Sequence, residues 1–262
     1  MVRLLLVSDI HANREALEAV LEDADEHGPF DLRLNLGDTV GYGPKPNECI
    51  KLVNGFTSLR GNHDYSIEDN ILAPNTNPDL AIRIHRRLIT PEHKSWLASL
   101  PFVYRNSEHR FAAAHASFDD TVPENYYRRY ILCKEDAETS LNGLKSLGAR
   151  IGFYGHTHVP ALARKTQSGD ILYRQYDPGR SADPVTETFD DFTCDDNPIL
   201  INPGSVGQPR NQSPSAHYAI VEIGTKTRII LKAVAYDIAR TQQEMRELGM
   251  PPRLIQRLET GT

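Results

Sequence analysis

The sequence predicts an α/β fold from its length, its composition and the order of its apolar segments. Of the 262 residues, 39% are hydrophobic and 24% are charged, which is typical of a globular protein with a full core. Short apolar runs alternate with helix-like segments through the first two-thirds of the chain, and the remainder is mainly β. We therefore expect residues 1–262 to form a single domain in which helices cover β-sheets.

The first elements are buried strands separated by a helix. Residues 2–7 form a continuous apolar run, as expected for a strand that is buried on both faces. Asn13 can cap a helix that continues to about residue 26 with its apolar side chains along one stripe. Residues 32–36 and 56–60 read as the next two strands, and a Gly- and Pro-rich loop with a short helix from Asn47 lies between them.

The middle of the chain mixes helices with a hairpin, and strands dominate afterwards. Helices are predicted over residues 79–88, 91–99 and 134–147, and a hairpin over 102–115. The later strands are predicted over residues 151–154, 161–165, 171–176, 199–201, 218–223 and 228–236. Residues 177–198 are acidic and carry three prolines, so we expect a long loop insertion that is disordered or acts as a lid. Residues 237–262 read as a C-terminal helical tail, with one helix over 237–248 before Pro251 and Pro252.

Charge and cysteine content limit the functional class. A net charge of −6 argues against an extended nucleic-acid-binding surface, but it allows a small phosphorylated substrate if bound metal ions supply positive charge locally. The three cysteines are scattered and form no CxxC pair, which argues against a disulfide framework or a thiolate zinc site. No apolar run is long enough for a signal peptide or a membrane span, so we expect a cytoplasmic protein without a membrane partner. The oligomeric state stays open.

Polar motifs follow the ends of the predicted strands. Their metal-ligand types are Asp9, His11, Asp38, Asn62, His63, Asp64, His115, His156 and His158. Ligands bind beyond the carboxyl ends of strands in open α/β sheets, and alternate strand residues share a face, so these side chains are expected to converge. Carboxylate, imidazole and amide donors together suit Mn²⁺, Fe or Zn²⁺. Asp38 has two oxygens that could bridge two ions, and the sequence therefore indicates two divalent metals.

The ordered motifs resemble those of the calcineurin-like metallophosphoesterase family. They are Asp9-Ile10-His11, Gly37-Asp38-Thr39-Val40-Gly41, Gly61-Asn62-His63-Asp64, His115 and Gly155-His156-Thr157-His158. The runs 41–49 and 202–210 resemble a compact prokaryotic subgroup, usually described as phosphodiesterases or diadenosine-tetraphosphatase-like enzymes. Ala12 and the Ala-His-Ala-Ser sequence around His115 depart from the usual glycines, which affects backbone packing more than ligation. The resemblance implies a four-layer α/β/β/α sandwich with two mixed β-sheets.

The resemblance also implies roles for the motif residues. One metal would be held by Asp9, His11, Asp38 and His158, and the other by Asp38, Asn62, His115 and His156. A hydroxide bridging the two ions would attack phosphorus, and Mn would be the favoured metal, with Fe or Zn as alternatives. His63 would protonate the leaving oxygen or stabilise the phosphoryl charge, and Asp64 would orient the imidazole of His63. The expected reaction is hydrolysis of a phosphodiester or phosphoanhydride bond in a small nucleotide-like substrate.

Three other functions stay open at this point. A phosphomonoesterase, including a protein phosphatase acting on Ser or Thr, would use the same metals. A non-catalytic scaffold of the same fold is disfavoured because such proteins typically lose ligands, and this chain keeps every one. A nuclease is disfavoured by the net charge and by the lack of a basic appended domain.

Several residues outside the ligand set are candidates with two interpretations each. Arg210 is the best candidate for an additional phosphate contact. Tyr42 would stack on a nucleobase or simply pack its loop, and Arg14 would reach phosphate or be solvated. Arg60 would touch phosphate or pair with a nearby acid, and the run 202–205 would line the site or form an ordinary turn. An acidic cluster could hold a further metal but is better explained as a solvated loop; it contains Asp190, Asp191, Asp195 and Asp196.

Overall fold

The computed structural model of the protein describes residues 1–69, 72–119, 128–166, 168–178, 185–190 and 198–262, and these residues form two six-stranded sheets. With elements numbered along the chain, the first sheet has the order β3 (Thr57–Ser58), β2 (Leu32–Asn35), β1 (Val2–Val7), β11 (Ala216–Ile223), β12 (Lys226–Val234) and β9 (Val185–Asp190). The second has the order β4 (Val103–Asn106), β5 (Phe111–Ala114), β6 (Ile151–Phe153), β10 (Ile199–Asn202), β7 (Ala161–Lys165) and β8 (Ile171–Gln175).

Both sheets are mixed, as predicted. The strands β1, β2 and β3 are parallel to one another, whereas β11, β12 and β9 add to this sheet in antiparallel pairs. In the second sheet β5, β6 and β10 are parallel, and β4, β7 and β8 are antiparallel to their neighbours. Each sheet therefore has a group of parallel strands whose carboxyl ends lie at one edge.

Side chains of β1 alternate between two cores. Leu4 and Leu6 belong to a buried cluster that also contains Phe153 and Ile201 of the second sheet, so the two sheets pack face to face. The intervening Leu5 packs toward the helical side of the first sheet. Burial on both faces explains why the sequence of β1 is a continuous apolar run. Burying each leucine side chain contributes about 1.5–3 kcal/mol to the free energy of unfolding.

Helices pack against the outer face of each sheet, and the described residues contain eight α-helices. They are α1 (Arg14–Asp25), α2 (Pro46–Leu52), α3 (Asn62–Tyr65), α4 (Asn77–Leu88), α5 (Pro91–Ser99), α6 (Lys134–Ser146), α7 (Ile238–Glu247) and α8 (Pro252–Gln256). The first helix begins where predicted, because the Asn13 side chain accepts a hydrogen bond from the Ala16 amide at 3.2 Å. Leu17 packs with the first sheet and Leu141 of α6 with the second. The predicted four-layer α/β/β/α arrangement is confirmed.

The interpretation of residues 177–198 as a loop is partly wrong. Residues 185–190 form β9, which pairs with β12 from Val185 opposite Leu231 to Asp190 opposite Lys226. The acidic residues and prolines of this segment favour a loop, but its Val-Thr-x-Thr-Phe pattern contains β-branched and aromatic residues, which favour a strand. Residues 179–184 and 191–197 lie outside the described part of the chain, and so do Asp191, Asp195 and Asp196 of the acidic cluster.

The C-terminal tail contains more structure than the predicted helix. After α7, Pro252 begins α8, and a 3-10 helix over Arg257–Glu259 follows it. Proline has no N–H to donate, and the first residue of a helix needs no such donor, so Pro252 can begin a second helix after the one predicted over residues 237–248. Leu254 and Leu258 pack in one cluster with Tyr42, which brings the tail to the edge where the strands end.

No helix in the described ranges is both long and apolar enough to span a membrane.

Candidate metal centre

The predicted ligands come from strand ends in both sheets and meet at the junction between the sheets. Asp9 and His11 follow β1, Asp38 follows β2, Asn62 follows β3, His115 follows β5, and His156 and His158 follow β6. Backbone hydrogen bonds join these segments: the Asp9 amide donates to Gly37 O at 3.0 Å and the Gly155 amide to His115 O at 2.8 Å. The His156 amide reaches across the sheets to Asp9 Oδ2 at 3.0 Å.

Asp9, His11 and His158 form the first half of the centre, and all three are buried. Asp9 Oδ2 already accepts two hydrogen bonds within the protein, one from the Ser8 hydroxyl at 2.7 Å and one from the His156 amide. Asp9 Oδ1 has no hydrogen-bond partner and lies 3.2 Å from His158 Nε2 and 3.8 Å from His11 Nε2. One carboxylate oxygen and two imidazole nitrogens therefore face the same point.

The proton positions of His11 and His158 suit a cation at that point. His11 Nδ1 lies 3.1 Å from Val40 O, and His158 Nδ1 lies 2.5 Å from Gln208 O. A carbonyl oxygen only accepts, so Nδ1 carries the proton and a neutral ring presents its lone pair at Nε2. The two Nε2 atoms are 3.0 Å apart. Lone pairs at this distance repel unless a cation binds both, and a backbone carbonyl behind each imidazole is typical of metal-ligating histidines.

Asp38 connects this half of the centre to the other. Its Oδ1 accepts a hydrogen bond from the His63 amide at 2.8 Å. Its Oδ2 lies 3.3 Å from His115 Nε2 and 3.8 Å from His11 Nε2, so it faces ligands of both halves. The sequence predicts that Asp38, with its two oxygens, could bridge two ions. In the structure Oδ1 accepts a backbone hydrogen bond, and Oδ2 is the oxygen that lies near nitrogens of both halves.

Asp38, His115 and His156 form the second half of the centre. Asn62 follows β3, the strand next to β2, from whose end Asp38 comes. His115 Nδ1 lies 3.0 Å from Leu36 O, which again leaves Nε2 to face the centre. His156 Nε2 and Asn62 Oδ1 are buried atoms without a hydrogen-bond partner, whereas His115 Nε2 lies 3.3 Å from the Asp38 carboxylate. Unpartnered buried polar atoms are costly, and their presence at this strand edge fits the binding of an ion.

Burial and neighbouring charge set the ionisation of these groups. Burial lowers the pKa of His156 to about 3 and the pKa of His63 to about 4. Burial opposes protonation of His115 as well, but the Asp38 carboxylate outweighs it and raises the pKa of His115 to about 9. Burial likewise opposes ionisation of Asp38, yet His115 and His63 hold its pKa well below the usual value. Metal binding at His115 would therefore release a proton.

His63 lies beside the ligands, and Asp64 does not orient it. The His63 ring centroid is 4.9 Å from that of His11, and its Nδ1 has no hydrogen-bond partner. Both oxygens of Asp64 instead accept backbone hydrogen bonds, Oδ1 from Val40 at 3.1 Å and Oδ2 from Gly61 at 3.0 Å. The expected Asp64–His63 pair is thus corrected: Asp64 joins the loops after β2 and β3. Burial and the Asp38 charge raise the pKa of Asp64 to about 7.

The backbone of the ligand segments is left-handed. Ten described non-glycine residues have positive φ, and seven belong to these segments: Asp9, His11, Ala12, Asp38, Tyr42, His156 and His158. Each such residue costs about 1–3 kcal/mol, and clusters of them are typical of functional sites. The Asp-x-His and His-x-His pairs therefore converge because tight turns follow the strands, and not because alternate strand residues share a face.

The predicted substrate contacts have different outcomes. Arg210 lies at the centre, where its amide donates to His158 O at 3.2 Å and its side chain reaches the Tyr42 hydroxyl at 3.4 Å. Tyr42 is only 6% exposed, and its ring lies 4.5 Å from that of His11, so it packs its loop and offers no open face for a base. Arg14 pairs with Glu15 at 2.5 Å, and Arg60 pairs with Glu68, so both are ion-pair partners.

The run 202–207 supports the first motif from behind. The Ser205 hydroxyl donates to Asp9 O at 2.8 Å, and the Gly207 amide donates to the same oxygen at 3.0 Å. Asn202 Nδ2 donates to Gly155 O at 2.8 Å, which fixes the turn that carries His156. This run is therefore neither an ordinary turn nor a lining of the site, but a brace for ligand segments from both sheets.

Three residues near the centre were not predicted. Tyr130 stacks on the His156 ring at 3.9 Å between centroids and is 42% exposed, and nothing in its sequence surroundings indicated this position. His85 holds the loop after β2, because its Nδ1 accepts from the Gly41 amide at 3.1 Å and its Nε2 donates to Gly43 O at 2.7 Å. Arg257, in the C-terminal tail, carries no motif that could have marked it.

Comparisons with known proteins agree with this geometry. The sequence profile of the calcineurin-like phosphoesterase superfamily domain matches residues 2–226. The crystal structure of a metallophosphoesterase from Sphaerobacter thermophilus has a TM-score of 0.80 and 34% identity, and the match covers 100% of this chain and 99% of that one. An uncharacterised protein of Methanocaldococcus jannaschii is 31% identical over 260 residues, 98% of this chain and 97% of the relative.

A more distant relative has a named activity. The symmetrical bis(5'-nucleosyl)-tetraphosphatase of Glaesserella parasuis is 25% identical over 161 residues, which are 58% of this chain and 57% of that protein. The family match extends over most of the chain, and the candidate ligands lie together at the strand ends. The chain belongs to the calcineurin-like phosphoesterase superfamily, and it is a metal-dependent phosphoester hydrolase.

Proposed function

We propose that the protein uses two divalent metal ions to hydrolyse a phosphodiester or phosphoanhydride bond in a small nucleotide-like substrate. The observation that carries this proposal is the position of Asp38 Oδ2, which faces His115 Nε2 at 3.3 Å on one side and His11 Nε2 at 3.8 Å on the other. An acceptor shared between two groups of nitrogen and oxygen donors is what a dinuclear centre requires.

We propose two ligand sets that share Asp38. The first is Asp9, His11, Asp38 and His158, and the second is Asp38, Asn62, His115 and His156. The groupings of Asp9 with His11 and His158 and of Asp38 with His115 and His156 support these sets. Mixed nitrogen and oxygen donors favour Mn²⁺, Fe or Zn²⁺ over Mg²⁺, and Mn²⁺ is our first choice. Such ions, when bound, polarise the phosphoryl oxygens and make water nucleophilic near neutral pH. The protein's part is to fix each carboxylate by backbone amides and each imidazole by a carbonyl, so that the donors are preorganised.

His63 is proposed to contact the substrate. Its ring packs against both Tyr42, at 4.5 Å, and His11, at 4.9 Å, and its Nδ1 has no hydrogen-bond partner in the protein. From this position it would protonate the leaving oxygen or stabilise charge on the phosphoryl group. His63 also lies within ligand distance of His11 and Asp38, so a role as a further ligand is the alternative that the experiments must exclude.

The similarity to a relative named as a bis(5'-nucleosyl)-tetraphosphatase supports a nucleotide-like substrate. A panel with Mn²⁺ tests the proposal: an aryl phosphomonoester, an aryl phosphodiester, a cyclic nucleotide, a dinucleoside polyphosphate and a phosphoserine peptide. We expect the aryl diester or the dinucleoside polyphosphate to be turned over faster than the phosphopeptide. A large preference for the phosphopeptide would make the protein a phosphomonoesterase, and no turnover of any of these substrates by the metal-loaded protein would contradict the proposed function.

A further inference from the structure

Two arginines converge beside the metal centre on a neutral acceptor. Gln208 Oε1 accepts hydrogen bonds from Arg210 Nη2 at 3.1 Å and from Arg257 Nη1 at 3.0 Å. The other acceptors of these guanidinium groups are the Tyr42 hydroxyl for Arg210 and, for Arg257, a main-chain oxygen of Thr262, the last residue of the given sequence. None of these acceptors is a carboxylate side chain, and no salt bridge joins either arginine to an acid within the described residues. Within the described residues, therefore, no acidic side chain pairs with these two positive charges.

This arrangement is costly unless an anion binds to it. Both arginines are partly buried, and Arg210 Nε is a buried donor with no partner. Burial and the neighbouring charge of Arg210 lower the pKa of Arg257 to about 10. The buried Nε2 of Gln208 is also without a partner. Like charges in a partly desolvated place repel more strongly than in water, and unpaired buried donors add to the cost. A bound anion would reduce the repulsion between the two arginines and would accept hydrogen bonds from the unpaired donors.

The arginine pair is directly connected to the metal centre. Gln208, which holds both guanidinium groups by its side chain, accepts the Nδ1 hydrogen bond of His158 by its backbone oxygen at 2.5 Å. Arg210 Cζ lies 6.0 Å from the centroid of the Tyr42 ring, and the same ring lies 4.5 Å from His11. On its other side Arg210 lines a groove of about 340 Å³, whose other lining residues include Tyr176, Asn211 and one acid, Asp177. An anion at the pair would therefore be a neighbour of a phosphate at the metals, with the groove beyond it.

We propose that Arg210 and Arg257 bind a second phosphate group of the substrate, next to the phosphate that is attacked at the metal centre. This inference rests on the proposed function and narrows it to substrates with a phosphate chain, such as nucleoside or dinucleoside polyphosphates. Guanidinium groups bind phosphate through paired, charge-assisted hydrogen bonds, which makes arginine pairs well suited to this chemistry. A simple diester has one phosphate and would leave the pair unused.

Two substitutions separate binding from folding. Arg257→Gln removes one charge of the pair. Gln208→Glu keeps the shape of the side chain and both hydrogen bonds, but it supplies the missing carboxylate, so it should neutralise the pair without lowering stability. The matched control is Arg253→Gln, which removes a charge from an exposed residue of α8, the helix that leads to Arg257. Circular dichroism and urea unfolding establish that each variant is folded.

The first measurement is calorimetric titration of the metal-free, full-length protein with inorganic tripolyphosphate. Charge-assisted hydrogen bonds lost from one arginine should raise the dissociation constant about 10- to 100-fold in Arg257→Gln and Gln208→Glu. Arg253→Gln should bind as the wild type does. Equal affinity in all four proteins, or no binding by the wild type, would overturn the subsite.

The second measurement compares two substrates with the Mn²⁺-loaded protein. The ratio of kcat/KM for diadenosine tetraphosphate to kcat/KM for bis(p-nitrophenyl) phosphate should fall about 10- to 100-fold in Arg257→Gln and Gln208→Glu, mainly through KM for the polyphosphate. If Arg257→Gln and Gln208→Glu show the same ratio as Arg253→Gln, the inference is contradicted, even if all three variants still hydrolyse both substrates. If the wild type hydrolyses neither substrate, the proposed function fails, whereas the calorimetric result still decides whether the arginine pair binds phosphate.

Discussion

Replacing Gly61 with alanine tests whether close backbone packing holds Asp38 in the metal centre. Gly61 has φ −90° and ψ 178°, a conformation that any residue can adopt, so alanine adds no backbone strain. A Cβ atom at this position would lie 2.1 Å from Asp38 Oδ1 and 2.4 Å from the Asp38 amide nitrogen. Asp38 cannot turn away easily, because its Oδ1 is bound by the His63 amide.

The structure gives the size of the expected effect. The Gly61 turn and Asp38 would have to separate by about 1.3 Å, the difference between 2.1 Å and an ordinary contact of 3.4 Å. Overpacking of a rigid site costs about 1–3 kcal/mol in the free energy of unfolding. Displacement of groups that orient a metal ligand reduces metal affinity about 10- to 100-fold. Because Asp38 faces both halves of the centre, both ions should be affected.

Gly224→Ala is the matched control, since the nearest atoms to its Cβ would be 3.6 Å away. Urea unfolding of the chelated proteins measures stability, and calorimetric titration with Mn²⁺ measures affinity. We expect Gly61→Ala to lose both and Gly224→Ala to lose neither. Wild-type stability and Mn²⁺ affinity in Gly61→Ala would refute the reasoning, because they would show that the site tolerates a displaced Asp38.

Three further predictions follow from the centre and its surroundings. Asp38→Asn should lose metal and activity together, as measured by elemental analysis and by an activity assay. If the variant keeps its metal and its activity, Asp38 is not a ligand. His63→Gln should keep both ions while kcat falls about 10²–10⁴-fold, with a smaller loss for nitrophenyl esters, whose leaving group needs little protonation; loss of metal would make His63 a ligand. Burial lowers the pKa of His217 to about 3, whereas the unfolded chain takes up this proton near pH 6.5, so its contribution to stability is full above pH 6.5 and decreases as the pH falls toward 3. His217→Asn should therefore reduce the slope of unfolding free energy against pH, measured between pH 5 and 6, by about 1 kcal/mol per unit; an unchanged slope would contradict it.

The ligand set and the strands around it could be predicted because their signals are local. The apolar run of β1 is readable from adjacent residues, and Asp9 and His11 stand directly after it. The left-handed turns that aim these side chains were not predictable in this way, because nothing in the residue types of Ala12 or Tyr42 indicates positive φ. The sequence thus indicates which residues converge and leaves open how they do so.

Long-range pairings account for the remaining differences. Because Asp64 is next to His63 in the sequence, Asp64 was predicted to orient the imidazole. Its carboxylate instead accepts a hydrogen bond from the Val40 amide, 24 residues earlier in the chain. Arg257 reads as an ordinary arginine of a C-terminal helix, and only the packing of Leu258 against Tyr42 brings it to Gln208. Such contacts depend on how distant segments pack, which no pattern within a single element records.

The distance along the chain between the two halves of the centre has a consequence for folding kinetics. The His156 amide that fixes Asp9 comes 147 residues after it, so the site exists only after both sheets have formed and packed. Metal ions then bind the finished structure and not its precursors, and at about 1,000 times their dissociation constant they add about 4 kcal/mol to stability. A stabilising interaction that forms after the transition state slows unfolding and leaves the refolding rate unchanged. Loaded with metal, the protein should therefore gain lifetime in its native state without folding any faster.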